Sequence, residues 1–349
     1  MVICERIDRS DQWNDLIESH GGHPLQLWGW GELKGAYGWK VERYAFYTED
    51  PVNQQLIGMA QILYRKLPWP LRSLAYVPRG PVVVEEAFRA QVFDGVQKAA
   101  RGSRFKPIAV TVEPHLEVEA TLDTEEFTNL AAADVGLNPG WRRAPEQILI
   151  PSTLLISLEP SEDDLLASLR GKTRQSVRRA LKYEVELDVC DDGCVVDEVL
   201  AVYRETAQRA GFALHSDDYY RTLANEMGAN APIVYARHEG ELIGFLWFAA
   251  SNGVAFELYG GSNNAARKLR TNYALKWHAM KAMKARGVAD YDVNGLLNDS
   301  ISEFKRGFAK HENLLMGSWD FPLSRLYPVW AKLLPAVRNL RRKLVSRRK

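Results

Sequence analysis

The sequence predicts an α/β protein made of two successive mixed helix–strand units. Three observations predict it. At 349 residues the chain exceeds what one ordinary core organises, which sets a prior of about two domains. Helical and extended patterns alternate up to about residue 150 and restart after Pro151. The second half then carries three consecutive strand patterns, a helix and one more strand. The expected domains are 1–152 and 153–319, followed by a basic helix over 320–349.

In the first half, Asp11 to Ile17 and Leu27 to Ala36 have helical spacing, and Val41 to Tyr47 with Leu56 to Tyr64 alternate as paired strands. Prolines 68, 70, 78 and 81 mark a turn-rich stretch. An amphipathic helix follows, with Phe88, Val92, Phe93 and Val96 on one face and its end near Gly102. Ile108 to Val112 is a buried strand.

In the second half, Leu154 to Leu158 is a strand, and Ser161-Glu162-Asp163-Asp164 is a capping box for a long helix. Along that helix Arg170, Arg174, Arg178 and Lys182 recur every fourth residue, with Leu166, Val177 and Leu181 facing inward. Such a stripe usually means a solvated charged face. A second helix covers Val195 to Arg209. The three strands are Ile233 to Arg237, Leu242 to Ala249 and Val254 to Tyr259, joined by turns at Glu239-Gly240 and Asn252-Gly253. The helix from Asn272 to Arg286 stops at Gly287, and Asp290 to Val293 is a strand ended by Asn294-Gly295. Phe304-Lys305-Arg306-Gly307-Phe308 then sets two cations between aromatic anchors. Cations following the carboxyl end of a strand stand where ligands enter α/β sheets.

Composition is that of a globular protein, 46% apolar and 26% charged. Three cysteines, Cys4, Cys190 and Cys194, cannot build a disulfide framework and lack the pattern of a zinc site, so no metal is expected. Glu5, Asp8 and Asp11 stand where a signal peptide needs an apolar core, and the expectation is a cytoplasmic protein that does not span a membrane. The net charge of +1 conceals an asymmetry: Leu165 to Tyr183 has six bases and no acid, and Arg338 to Lys349 has seven and none. Such patches suit polyanions. In the last helix Leu326, Trp330, Leu333, Val337, Leu340 and Leu344 form a packing seam, kinked at Pro335, and the bases beyond it favour peripheral contact with an anionic inner membrane leaflet.

The element order from residue 154 resembles the GCN5-related N-acetyltransferase fold. The pyrophosphate loop of those enzymes is missing, because Ala266-Arg267-Lys268-Leu269-Arg270-Thr271-Asn272 contains no glycine. Six further segments, in order, resemble the FemABX family of aminoacyl-tRNA-dependent peptidoglycan cross-bridge transferases. They are Leu25 to Lys34 with Gly38-Trp39, Tyr76 to Pro81, Leu169 to Tyr183, Gly211-Phe212 through Tyr219-Tyr220, Tyr259 to Ser262, and Phe304 to Phe308. The resemblance implies two acetyltransferase-like domains of the compact type that lacks a helical arm, with the C-terminal helix returning to pack on the first domain.

The resemblance also implies that Lys34 contacts the precursor pyrophosphate, that Tyr219 and Tyr259 line the same cleft, and that Lys305 lies nearest the chemistry. His215 stands where some members have arginine, with Arg221 as a candidate substitute, and Arg306 joins the substrate-binding set. Glu113, before Pro114, is a candidate general base whose bland alternative is a strand-ending acid bonded to a turn. Arg170, Lys172, Arg174, Arg178 and Lys182 are the expected tRNA contacts. The implied partners are aminoacyl-tRNA and a lipid-linked or nucleotide-linked peptidoglycan precursor, with no cofactor and a monomeric chain. Two rivals are weighed against this: a coenzyme A-dependent N-acyltransferase, and a non-catalytic RNA- or membrane-binding protein.

Overall fold

The computed structural model describes residues 2–50, 52–119, 127 and 131–332. They divide into two compact units. The first takes the described residues of Met1–Ile17, Lys34–Pro151 and Leu314–Lys349; the second is Glu18–Leu33 with Ser152–Asn313.

The first unit is built on an eight-stranded sheet. Its main strands are β1 (Val2–Arg6), β2 (Trp39–Thr48), β3 (Leu56–Lys66), β4 (Ser73–Val77) and β5 (Pro107–Val112), in that spatial order. All neighbours are antiparallel except β4 and β5, which run parallel. Beyond β5 lie the late strand Trp319–Pro322 and then Arg142–Arg143. Helices α1 (Ser10–Ser19) and α2 (Trp28–Ala36) precede β2, and α3 (Arg89–Gly102) connects β4 to β5. One face of α3 buries Val92, Phe93, Val96, Ala99 and Ala100 against Phe46, Ile57, Ile62, Val110 and Trp319. Burial of each large apolar side chain contributes roughly 1.5–3 kcal/mol. The late strand is pinned by Thr111, which donates to Asp320 at 2.6 Å, and by the Tyr327 hydroxyl, 2.9 Å from the other Asp320 oxygen. Tyr327 opens helical backbone that continues to residue 332. Most of the expected seam (Leu333, Val337, Leu340, Leu344), Pro335 and the basic tail lie outside the described residues.

The second unit centres on a six-stranded sheet. In chain order its strands are β6 (Leu155–Ser157), β7 (Glu186–Cys190), β8 (Ile233–His238), β9 (Glu241–Ala250), β10 (Val254–Ser262) and β11 (Asp290–Asp292). The spatial order is β7-β8-β9-β10-β11-β6, antiparallel except for the parallel pair β10 and β11. Glu239 and Gly240 have φ of 52° and 81°, as a tight two-residue hairpin requires. The helices are α4 (Glu162–Ser168), α5 (Gly171–Ala180), α6 (Val196–Ala210), α7 (Asp217–Met227), α8 (Asn264–Lys268), α9 (Thr271–Ala285) and α10 (Ser300–Arg306). Helix α9 lies against β8 and β9, as the strand and helix order predicts, and buries Ala274, Leu275, Met280 and Met283. Gly287, at φ 79°, ends it.

Three features depart from the sequence expectation. The long helix after Ser161 is two helices. Leu169 is fully buried, and Leu169 and Arg170 are extended at ψ 151° and 141°. The Arg170 N–H donates to the Gly307 carbonyl at 3.1 Å instead of to its own helix. A tertiary bond thus outcompetes helix continuation. Leu181, expected to face inward, is 49% exposed, because the helix has already ended at Ala180. Secondly, the structure adds β7 and α7, neither of which is among the elements expected from the sequence. Thirdly, residues 18–33 pack with the second unit: Glu18 accepts from Asn252 N–H at 2.6 Å, and the Ser251 hydroxyl donates to Gly22 O at 2.6 Å. Gly29 accounts for the Trp-Gly-Trp sequence, since a Cβ there would collide with the Glu226 carbonyl. Among the described residues no helix is long and apolar enough to cross a membrane.

Candidate active site

In the second unit, β11 is followed after Val293 by Asn294 and Gly295, both left-handed at φ 55° and 76°. That reversal presents two carbonyls to one side. Lys305 reaches them from α10, its ammonium donating to Asn294 O at 2.8 Å and Gly295 O at 3.2 Å. Asp299 caps α10 by accepting from Ser302 N–H at 2.7 Å, which fixes the helix carrying Lys305. Among the described residues these two carbonyls take two of the three ammonium N–H groups. Desolvation is the main influence on this lysine and holds its pKa below the usual value, although the charges of Glu257, Asp292 and Asp299 oppose the shift.

Beneath this turn is a buried polar network. Lys276, 2% exposed, pairs with Glu257 at 2.5 Å and faces the rings of Tyr291, Phe304 and Phe308. The Tyr291 hydroxyl also donates to Glu257, and burial raises its pKa well above normal. Asn294 closes the circuit by donating its amide to Glu257 O at 2.7 Å. Asp292 accepts from Thr153 at 2.5 Å and from the Asn294 N–H at 2.8 Å. Buried charges need such partners, and the network holds the strand-end carbonyls where Lys305 uses them. None of Glu257, Lys276 and Asn294 was singled out from the sequence as a site residue. The available signal was a lysine within the otherwise apolar face of α9.

A wall of aromatic rings forms a second part of this unit. Tyr219 and Tyr220 on α7, Tyr203 on α6 and Tyr259 on β10 meet edge to face or tilted, with Tyr220 and Tyr259 centroids 5.2 Å apart. The His215 ring stacks on Tyr219 at 4.1 Å, and the His215 backbone N–H donates to the Tyr220 hydroxyl at 3.2 Å. Desolvation, reinforced by Tyr219 and Tyr220, raises the Tyr259 pKa well above normal, so its phenol remains a neutral donor. The two arginines expected nearby are engaged elsewhere. Arg221 pairs with Asp197 at 2.8 Å and Asp218 at 3.3 Å. Arg306 pairs with Glu312 at 2.8 Å and Glu303 at 3.0 Å.

Helix α5 carries the basic residues differently from the expected stripe. Arg170 precedes its first turn and Lys182 follows its last, so the four cations do not share one helix. Arg170 Nε donates to Ala309 O at 3.1 Å, and Arg174 donates to Ala167 O at 2.8 Å. Lys172 and Arg178 are exposed, as is Arg179, which fourth-residue spacing leaves out. Thr173, Val177 and Ala180 are the buried side of the helix.

The segment from Ala266 to Asn272 is not an open loop of amides. Asn263 caps α8 by accepting from Ala266 N–H at 3.1 Å, and Arg270 is left-handed at φ 55° before α9. Cys190, Asp192 and Cys194 place their ligand atoms within 4.8 Å of one another. The Cys190 thiol and the Cys194 N–H both donate to one Asp192 oxygen, which closes the turn after β7.

In the first unit, Lys34 lies in the last turn of α2, where desolvation pushes its pKa down to about 8. Glu113 follows β5 and is 1% exposed. One of its oxygens accepts from Ile148 N–H at 3.1 Å, Leu149 N–H at 2.8 Å and the Ser318 hydroxyl; the other accepts from Tyr76. This is the strand-ending acid bonded to a turn. Its lone pairs are committed to the fold, which leaves poor access for a substrate proton.

The chain resembles known proteins along nearly its whole length. The sequence pattern of the FemAB family matches residues 11–241 and 236–334. Lipid II:glycine glycyltransferase of Staphylococcus aureus (strain USA300) is 24% identical, covering 97% of this chain and 98% of that protein. Among solved structures, FemX superposes with a TM-score of 0.78 at 20% identity, covering 94% of this chain and 100% of FemX. A tandem GNAT protein from the clavulanic acid biosynthesis pathway gives a TM-score of 0.50 at 10% identity, covering 93% of this chain and 99% of that one. The fold is therefore of the FemX and tandem acetyltransferase type, and the chain belongs to the FemAB family.

Proposed function

We propose that this protein moves an amino acid from aminoacyl-tRNA to the stem-peptide amine of a peptidoglycan precursor, either lipid II or its nucleotide-linked form. The observation that carries the reading is Lys305: a partly desolvated ammonium, held by two strand-end carbonyls. Family membership and the glycyltransferase relatives support the same reading.

The donor is already an ester, so neither a metal nor a nucleophilic side chain is required. The acceptor amine, with a pKa near ~10.4 when free, loses a proton and attacks the ester carbonyl. The tetrahedral intermediate collapses with expulsion of the ribose oxygen. Lys305 stabilises the charge that develops on the carbonyl oxygen or on the adjacent tRNA phosphate. Orientation of the two reactants contributes up to ~7–11 kcal/mol. Of the two protons the nitrogen gives up, one passes to the precursor's own phosphate rather than to Glu113, whose oxygens are occupied, and the other ends on the departing ribose oxygen. Lys34 holds the precursor pyrophosphate, Tyr219 and Tyr259 line the acceptor's path with His215 beside them, and the exposed cations of α5 take the tRNA backbone. In this reading the first unit binds the precursor through Lys34, and the second serves aminoacyl-tRNA and catalysis, with its tyrosines beside the acceptor. The protein works as a monomer at the inner membrane face.

The test incubates the purified protein with individually charged tRNAs and either precursor form, with mass detection of the product. A precursor heavier by one aminoacyl residue, dependent on charged tRNA, is the expected result. Transfer from acetyl-coenzyme A instead, or no transfer with any tRNA, would overturn the proposal.

A further inference from the structure

At one end of the first unit's sheet, the start of β2, the end of β3, the start of β4 and the turn before β5 surround a concavity of about 530 Å³. Lys40, Lys66, Arg72, Arg104 and Lys106 stand around it, and no acid is among its lining residues. All five cations are exposed, and among the described residues none of them is ion-paired. Tyr64 forms part of the floor and is 1% exposed, with Ser103 and Glu42 as the polar groups nearest its hydroxyl. The β3–β4 turn rises at the rim. It is closed by Leu67 N–H to Arg72 O at 2.8 Å and Leu71 N–H to Pro68 O at 2.9 Å, with Leu71 buried beneath. At its tip, between two prolines, Trp69 is 94% exposed.

We infer that this end of the first unit docks on an anionic phospholipid bilayer, with Trp69 entering the interface and the concavity receiving a headgroup phosphate. An indole held in water by a tied turn is costly unless a partly apolar phase covers it, and tryptophan favours the membrane–water interface. The cations beside it supply attraction to a negative surface. They ring one concavity instead of tracking along a groove, which suits a compact phosphate headgroup better than an RNA backbone. The transferase reading uses none of these residues.

The test is flotation of the full chain with vesicles of phosphatidylcholine alone or mixed with phosphatidylglycerol, at low and high salt. Binding is expected only to the anionic vesicles and is expected to weaken with salt. Lys66→Gln with Arg104→Gln should lower partitioning roughly 30-fold, at about 1 kcal/mol per cation. Trp69→Ser should lower it too, and should abolish the part of the vesicle-induced change in indole emission that Trp69 supplies. Circular dichroism checks that the variants fold. Three results would overturn the inference: unchanged partitioning of the variants, loss of tRNA binding in place of vesicle binding, or displacement by inorganic phosphate alone regardless of Trp69. If the unaltered protein accepts a soluble, nucleotide-linked precursor, that transfer should persist in these variants. Failure of transfer to both precursor forms in the unaltered protein would count against the proposed function and leave the vesicle result standing.

Discussion

Thr173 lies so close beneath Gly307 that a Cβ on the glycine would collide with the threonine Oγ1. This close approach, with the Arg170 N–H to Gly307 O bond, couples the start of helix α5 to the end of the helix that carries Lys305. The break between α4 and α5 and the glycine of the Phe-Lys-Arg-Gly-Phe segment therefore have one cause: two backbones meeting at close range.

Gly307→Ala should accordingly destabilise the fold by about 1–3 kcal/mol, the usual cost of overpacking. Thr173→Ala removes the clashing atom, so the double variant should recover part of that stability. Chemical denaturation of the four proteins in the cycle measures the coupling. Simple additivity would show that the close approach does not matter.

Glu113 should behave as a structural acceptor. Glu113→Gln keeps one oxygen for the Ile148 and Leu149 amides and offers an NH2 group to the Tyr76 hydroxyl, so transfer should stay within tenfold of the unaltered rate. Glu113→Ala strands buried donors and should cost about 1–3 kcal/mol or more in stability. A rate reduction of 10²–10⁴ in a well-folded Glu113→Gln variant would instead mark a general base.

The Lys34 pKa of about 8 gives a pH signature. Only the ammonium form binds a pyrophosphate, so acceptor affinity should be greatest below pH 8 and decline above it. Lys34→Arg stays charged throughout and should flatten the acceptor KM profile. The sign for stability is opposite. Folding lowers this pKa from 10.5, so the fold should gain stability as pH rises from about 8 towards 10.5, where the unfolded chain binds more protons. Acceptor KM against pH, with denaturation at matched pH, separates the two effects.

Lys172, Arg178 and Arg179 are the exposed cations of α5, and reversing two of them should weaken tRNA binding. The salt dependence should flatten by roughly 0.7–0.9 log units for each phosphate no longer neutralised. Reversal at Arg170 should also perturb the fold, because its side chain is bonded to Ala309 O. Filter binding across a salt series reads both quantities. An unchanged slope would return the face to simple solvation.

Much of the fold was legible in the sequence, because hydrophobic period and turn chemistry act locally. The β8–β9–β10 meander, its Glu239-Gly240 turn and the Gly287 stop all follow from neighbours in sequence. The break at Leu169 and Arg170 was not legible, because its cause is a carbonyl far along the chain, at Gly307. For the same reason residues 18–33 could not be assigned to the second unit: Glu18 is fixed by bonds to Asn230 and Asn252. In the site, Lys305 stood out by its aromatic flanks, whereas Asn294 looked like no more than a turn residue. The roles of Glu257 and Lys276 emerge only from their burial together.

The final prediction separates Lys305 from Lys34. If Lys34 holds the precursor in ground and transition states alike, Lys34→Ala should raise the acceptor KM and leave kcat nearly unchanged. Lys305 should matter most once charge develops on the ester, so Lys305→Ala should lower kcat by about 10²–10³ with the acceptor KM nearly kept. Its ammonium is pre-placed by the Asn294 and Gly295 carbonyls, and the turn that offers them is anchored through Asn294 to Glu257 O. Asn294→Ala should therefore reproduce part of the Lys305→Ala kcat defect without touching the Lys305 side chain itself. Steady-state kinetics on the three variants, after circular dichroism confirms that each is folded, decides the matter. Identical patterns for Lys34→Ala and Lys305→Ala would remove the division of labour, and full activity of Asn294→Ala would show that the carbonyl turn does not position the lysine.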